Sequence, residues 1–319
     1  MTRSGDTALL LPRDLPAGDV LDYARRAEAV GFDELWVVED LGYRGGIAQA
    51  SAVLAATSRI RVGIGILPAA ARNSAFAAME LGTLAALFPG RLVVGLGHGM
   101  PGWMRQAGVW PASPITMLRE QTEAIRGLLA GETVDVDGRY VQLDGVRLEH
   151  PPTIVPPLLA GVRGPKSLAA AGEFADGVVL AEPVTPEYLA AVRERLGAGA
   201  AEARIVAFQL AVVDEDAAAA RSAVRPGLAW IGDPDWAPHI DPLDFADEFR
   251  ALRAGAADRE AFAAALPDAW VDRLAVVGTP EDARASVARL HAAGASAVVL
   301  IPARSAIEEV ERLGAALPR

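Results

Sequence analysis

The chain has 319 residues, 52% of them hydrophobic and 22% charged, and no Cys. That ordinary globular composition excludes disorder, and the missing thiols exclude disulfides, thiolate metal sites, Fe–S clusters and Cys nucleophiles. Lys plus Arg number 30 against 41 Asp plus Glu, a net charge of −11, which argues against a nucleic-acid or anionic-membrane partner because both need a positive field.

In chain order, short apolar runs alternate with amphipathic stretches. Ala8 to Leu11 reads as a strand, and Pro16 to Val30 as a helix stopped by Gly31. Asp33 to Val38 (DELWVV) is a second strand and Ile47 to Thr57 a helix. Arg59 to Leu67 (RIRVGIGIL) is a third strand carrying Gly63 and Gly65, followed by a helix over Ser74 to Phe88. Arg91 to Leu96 is a fourth strand, and Ile115 to Ala130 a helix. Residues 132–149 alternate with period two around Asp137-Gly138 and Asp144-Gly145, so they read as an inserted β-hairpin. The rhythm resumes with a strand at Pro157 to Ala160, a helix at Pro165 to Phe174, a strand at Gly177 to Leu180, a helix at Pro186 to Leu196 and a strand at Arg204 to Val213. Residues 214–270 read as helical with breaks at Pro226, Pro234, Pro238, Pro242 and Pro267. A helix at Pro280 to Ala293, a strand at Ala297 to Ile301 and a helix at Ser305 to Leu313 close the chain.

These eight strands are apolar on both faces (LWVV, LVVGL, GVVL), as covered parallel strands should be. Length alone suggests two domains, but a closed (β/α)8 barrel uses this length in one. No composition break divides the chain, so the expectation is a single TIM barrel over 1–319 with insertions at about 131–156 and 214–270. The start MTRSGDTALLLPRDLP lacks a signal-peptide core and no 18-residue apolar stretch occurs, so a cytoplasmic protein is expected.

In a barrel, chemistry sits at the C-terminal strand ends. Here those are Glu39-Asp40, Gly65 to Pro68, Gly97 to Met100, Gly161 to Lys166, Leu180 to Glu182, Gln209 with Val213, Gly278-Thr279 and Ile301-Pro302. Residues 95–102 (GLGHGMPG) are not a dinucleotide loop: Met100 stands where Gly or Ala belongs, and Pro101 where a helix should open. The glycines still let a ligand approach the backbone, with His98 between them as a ligand-contacting candidate. Residues 160–167 (AGVRGPKS) have the build of an anion site: a strand end, two glycines, a proline in the first helical turn, and Arg163 and Lys166 for charge. Gly63 and Gly65 weaken an interior strand, which fits either a bulge or backbone pressed against a flat ligand. Glu39 and Asp40, adjacent on a strand, point to opposite faces and do not form a shared acid/base pair. The four His have no metal-ligand spacing, so no metal site is expected. Trp103, Trp110, Trp230 and Trp236 fall in loops where they could roof a barrel mouth.

The ordered set GFDELWVVED (31–40), RIRVGIGILPAAARN (59–73), FPGRLVVGLGHG (88–99), LREQTEAIRGLLAGETVDVDGRYVQL (118–143), PPLLAGVRGPKSLAAAGEFADGVVLAEP (156–183) and VVGTPEDARASVARLHAAGASAVVLIP (276–302) resembles the bacterial luciferase-like flavoenzyme superfamily. Within it, the set is most similar to the coenzyme F-420-dependent, methylenetetrahydromethanopterin-reductase-like branch. The resemblance implies a cofactor at the C-terminal mouth and a non-prolyl cis peptide at Gly65–Ile66 that presses on its ring. It implies that Gly161, Val162, Arg163, Gly164 and Lys166 hold the cofactor phosphate, with Gly63 and Gly97 lining the site. Sugar-phosphate and alcohol dehydrogenases of the superfamily carry Asp-His where this chain has Glu39-Asp40, and an acid where Met100 stands, which argues against direct alcohol oxidation. The reductases use fewer acids, and either Glu39 or Asp40 fits that role beside His98. The implied function is hydride transfer between F-420 and a small organic substrate, in a homodimer. The alternatives are an FMN-dependent monooxygenase and a non-catalytic flavin-binding protein. The segment 214–270, with Trp230, Trp236 and His239, is expected to shape the substrate site.

Overall fold

The computed structural model describes residues 5–318. Its strands are β1 (Asp6–Leu10), β2 (Glu34–Val37), β3 (Arg61–Pro68), β4 (Leu92–Gly97), β5 (Val134–Asp137), β6 (Gln142–Val146), β7 (Leu158–Gly161), β8 (Gly177–Leu180), β9 (Arg204–Val213), β10 (Val276–Gly278) and β11 (Ala297–Pro302). Eight of them close into an all-parallel ring in the order β1-β2-β3-β4-β7-β8-β9-β11, and β11 pairs back onto β1. This is the expected (β/α)8 barrel. The three-residue β10 lies outside that count; it pairs only with Ala211 to Val213 at the end of β9, and three residues carry no readable period.

Alternation along each strand divides two cores. Leu9 and Leu11 of the first segment face the helices, and Ala8 and Leu10 face inward. The inward set, with Val93, Leu159, Val179, Val206, Val299 and the larger Trp36 and Phe208, fills the barrel. Trp36 and Phe208 meet edge to face at 5.5 Å between ring centroids, the arrangement favoured by the aromatic quadrupole.

Three local readings are corrected. A helix does open at Pro101, over Pro101–Gln106: proline suits the first helical position because its missing N–H would be unpaired there anyway. Only Met100 therefore stands against a dinucleotide loop. Within the hairpin β5–β6, the turn does follow Asp137, and its N–H groups at 139–141 all donate to the Glu120 carboxylate. Asp144-Gly145, however, makes no second turn; it lies within β6, where the pairing register shifts. The last helix spans Glu309–Gly314 rather than starting at Ser305, whose hydroxyl instead donates across to Asp14.

Segment 214–270 is a run of short α and 3-10 helices between β9 and β10, with its own core of Leu228, Ile231, Phe245, Phe249, Phe262 and Leu266. It belongs to the same chain fold but builds a roof beside the mouth. Among the described residues no helix is long and apolar enough to cross a membrane.

Candidate functional site at the C-terminal mouth of the barrel

The floor of the mouth is set by β3. Its peptide Gly65–Ile66 is cis, and its pairing with β4 shifts register between Ile64 and Leu67. The bulge throws the Ile66 side chain against three glycines. A Cβ on Gly161 would lie 2.4 Å from Ile66 Cγ2, one on Gly97 2.5 Å from its Cδ1, and one on Gly95 3.0 Å from its Cγ2. These glycines, on β4 and β7, give Ile66 its seat. Gly63 and Gly65 serve the layer below: a Cβ on Gly63 would stand 2.2 Å from the Trp36 ring, and one on Gly65 2.9 Å from Phe208. The missing side chains of Gly63 and Gly97 thus make room for Trp36 and Ile66.

The wall on the β7 side is the start of helix Pro165–Phe174. Gly164 is its N-cap and supplies no side-chain acceptor, so the first-turn N–H groups face outward. Lys166 is exposed and makes no ion pair among the described residues. His98, at the end of β4, reaches this turn: its Nε2 lies 3.1 Å from Ser167 Oγ. Burial lowers the His98 imidazole below its ordinary range, against the raising effect of the Pro114 carbonyl, so a neutral ring faces this turn at pH 7. Ser167 escaped the sequence reading, although its place in AGVRGPKS was the available signal.

Arg163 does not aim at that turn. Its guanidinium stacks on Trp236 at 4.7 Å, and its Nη1 stands 3.5 Å from the Asp235 carbonyl. Val162 is buried in the core, so only its backbone can meet a ligand. The segment after β8 ties the roof down. Trp236 Nε1 donates to the Glu182 carbonyl at 2.9 Å, and the Glu182–Pro183 bond is cis. The His239 Nδ1 bonds the Pro183 carbonyl at 3.0 Å, which fixes the proton on Nδ1 because a carbonyl only accepts. Burial, then the neighbouring Arg163, lowers His239 to about 3. It is fully buried against Tyr188, so it braces the roof instead of lining a substrate site. Trp236 meets the strand ends through Arg163 and the Glu182 carbonyl, whereas Trp230 lies exposed under Arg259. Gln209 exchanges two 2.9 Å bonds with the Val184 backbone and holds the same segment.

The two candidate acids after β2 part company. Glu39 turns to the wall, where Arg72 grips it with two bonds of 2.5 and 2.8 Å and Gly46 N donates at 2.7 Å. It thereby holds the start of helix Gly46–Ala56, which has no side-chain cap of its own, and is committed to that brace. Asp40 turns the other way and pairs with Arg13 at 2.5 Å, whose guanidinium also covers Tyr43. Thus Ile66, His98, Asp40, the 161–167 turn and Glu182 surround one mouth, while Glu39, Arg163 and His239 brace its rim.

A family model described as luciferase-like monooxygenase matches residues 4–297. The chain is 32% identical over 301 residues to the 5,10-methylenetetrahydromethanopterin reductase of Methanolobus tindarius, covering 91% of each. It is 32% identical over 182 residues to the F420-dependent glucose-6-phosphate dehydrogenase of Beutenbergia cavernae, covering 53% of this chain and 52% of that one. Its fold superposes on the coenzyme F420-dependent tetrahydromethanopterin reductase of Methanopyrus kandleri with a TM-score of 0.82 at 22% identity, covering 97% of each chain.

Proposed function

Because the chain belongs to the luciferase-like monooxygenase family, we propose that it is an oxidoreductase moving hydride between coenzyme F-420 and a small organic substrate at the barrel mouth. The observation that carries the reading is the Ile66 shelf, seated on Gly95, Gly97 and Gly161, beside the uncapped helix start at Gly164. A flat ring fits the shelf, and a phosphate fits the helix start, where free N–H groups and the helix dipole favour an anion. Bound there, a deazaflavin supplies a hydride donor or acceptor. The chain supplies the rest: Lys166 and Ser167 meet the phosphate, Ile66 backs the ring, Trp236 excludes water and Asp40 faces the substrate space. The likeness to the F420-dependent dehydrogenase of Beutenbergia cavernae supports F-420 over FMN.

The test is a fluorescence titration of the purified protein with F-420 and with FMN. A dissociation constant near 1 μM or tighter for F-420, about −8 kcal/mol, with FMN bound at least tenfold more weakly, is the expected result. Lys166→Ala should weaken F-420 about tenfold, the worth of one charge-assisted contact. Tighter FMN binding with oxygen consumption would overturn the reading in favour of a monooxygenase.

We also propose that two copies pair through helix Ser74–Leu87. That helix is mostly apolar, and beside Glu80 and Thr83 its outer stripe leaves Phe76 and Leu87 each 66% exposed and Met79 53% exposed. Ile154 and Val155, beside Gly90 and Ala85, extend the patch. A patch of this kind on one helix face marks an association surface. Sedimentation should give a dimer for the native chain and a folded monomer for Phe76→Asp with Leu87→Asp; a native monomer at micromolar concentration would sink the proposal.

A further inference from the structure

Arg163 is held at both ends. Its guanidinium lies on Trp236, with Nη1 3.5 Å from the Asp235 carbonyl. Its own carbonyl meets the Tyr188 hydroxyl at 3.2 Å. A carbonyl only accepts, so the Tyr188 O–H donates. Burial raises that hydroxyl above the ordinary tyrosine range, against the lowering pull of Arg163, and keeps its proton in place. Tyr188 is itself firmly set. It stands in the first turn of helix Pro186–Leu196, where its N–H donates to the capping Thr185 hydroxyl at 3.2 Å. Val184, just before that cap, is tied to Gln209 by two bonds. The Tyr188 ring packs on His239 at 4.2 Å between centroids, and the residue is 2% exposed. It belongs to the core between strands and helices, with Val162, Leu168 and Val184, so it reaches Arg163 from the packed side.

The Arg163–Gly164 peptide is trans, since the cis bonds among the described residues lie at Gly65–Ile66 and Glu182–Pro183. In a trans peptide the C=O and the next N–H point in opposite directions. A carbonyl drawn inward to Tyr188 therefore turns the Gly164 N–H away from the core. The space around Gly164 is open: a Cβ there would meet nothing within 4 Å. The Gly164 N–H, like those of Lys166 and Ser167, has no backbone partner among the described residues, whereas Leu168 N already donates to the Gly164 carbonyl at 2.9 Å. Pro165 has no N–H to offer. We propose that Tyr188 is a positioning residue of the phosphate site, which aims the Gly164 N–H at the anion by holding the Arg163 carbonyl. The assignment rests on the F-420 reading above, which puts the cofactor phosphate at this helix start. Without the hydroxyl, the 163–164 peptide plane is free to rotate, because glycine restrains it little. Rotation would bring the Arg163 oxygen round to the anion and exchange an attractive dipole for a repulsive one. Tyr188 touches no ligand and moves no proton; its contribution is pre-organisation of a donor. That contribution falls on affinity for the phosphate and leaves the ring site alone.

The test compares the native chain with Tyr188→Phe, which keeps the buried ring and removes only the hydroxyl. The sequence has three Arg–Gly pairs, at 44–45, 126–127 and 163–164. Labelling the Arg carbonyl carbon and the Gly amide nitrogen therefore isolates three amide signals by NMR, and the one missing from Gly164→Ala is Gly164. Titration with inorganic phosphate should shift the native Gly164 amide downfield, and the same amide in Tyr188→Phe much less. Fluorescence titration should give Tyr188→Phe an F-420 affinity about tenfold weaker than native, the worth of one hydrogen bond to a charged acceptor. A deazaflavin that lacks the phosphate should bind the two chains within about twofold of each other, whereas a general loosening of the fold would weaken both ligands alike. A Phe variant that binds F-420 within about twofold of native, or that loses both deazaflavins equally, overturns the assignment. So does a native Gly164 amide that phosphate leaves unmoved, a result that stands even if Tyr188→Phe does not fold. A native chain that binds phosphate at Gly164 but not F-420 overturns the cofactor reading instead, and the phosphate titrations of the two chains then decide on Tyr188.

Discussion

Glu34→Ala should lower stability by about 3–5 kcal/mol, the cost of leaving buried partner charges uncompensated. Glu34 is fully buried at the N-terminal end of the barrel, opposite the mouth. One oxygen accepts from Arg61 Nε at 3.0 Å and from Arg204, and the other accepts Trp36 Nε1 at 2.9 Å. Asp6 completes the group, 2.6 Å from Arg61 and 3.3 Å from Arg204. Two acids and two guanidiniums balance there, and deleting one acid strands a positive charge in a half-buried place. Replacing the whole group with apolar residues would be far milder, because the penalty comes from the broken pair rather than from the pair's net worth. At about 2–4 °C per kcal/mol for a chain of this size, the melting temperature should fall by roughly 10 °C. Glu34→Gln keeps an acceptor for Trp36 and should lose less. The consequence reaches the functional end, because Trp36 is the ring on which Gly63 and Gly65 rest. Tryptophan emission should therefore shift in Glu34→Ala before the protein unfolds. A loss under about 1 kcal/mol would show that water, not the ion group, satisfies these charges.

The barrel was legible because its signals are local. LWVV, LVVGL and GVVL are apolar on both faces, and helices Pro165–Phe174 and Pro186–Leu196 start at a proline after a turn, as the sequence reading placed them. The site was less legible because its meaning depends on partners far along the chain. Glu39 reads as a strand-end acid until Arg72, 33 positions later, takes it. Arg163 reads as a phosphate ligand until Trp236 covers it, 73 positions on. The glycines mislead in the same way. A missing Cβ shows in the sequence; what fills the space, Ile66 or Trp36, appears only when β3, β4 and β7 lie side by side.

That last point makes Gly161→Ala the most informative change at the mouth. The backbone at Gly161 is not in the left-handed region, so alanine adds only a methyl group. The methyl would fall 2.4 Å from Ile66 Cγ2, far inside contact distance. A side-chain tip can usually move away, but Ile66 has nowhere lateral to go: Gly97 and Gly95 flank it so closely that even their own Cβ atoms would clash with it. The remaining direction is upward into the mouth, where the cofactor ring should lie. Overpacking of this kind costs about 1–3 kcal/mol of stability. The larger effect should fall on binding, with F-420 affinity reduced at least about 100-fold, roughly 2.7 kcal/mol. Ile66→Ala alone should weaken binding only modestly, by removing backing from one ring face. In the double variant the new methyl occupies the space that Ile66 vacates, so both stability and affinity should recover, with a coupling of about 1–3 kcal/mol between the two sites. The melting temperatures of the four proteins test the packing without any ligand, and the F-420 titrations test its use. If the two losses merely add, Ile66 is not wedged between β4 and β7, and the shelf cannot be what positions the ring.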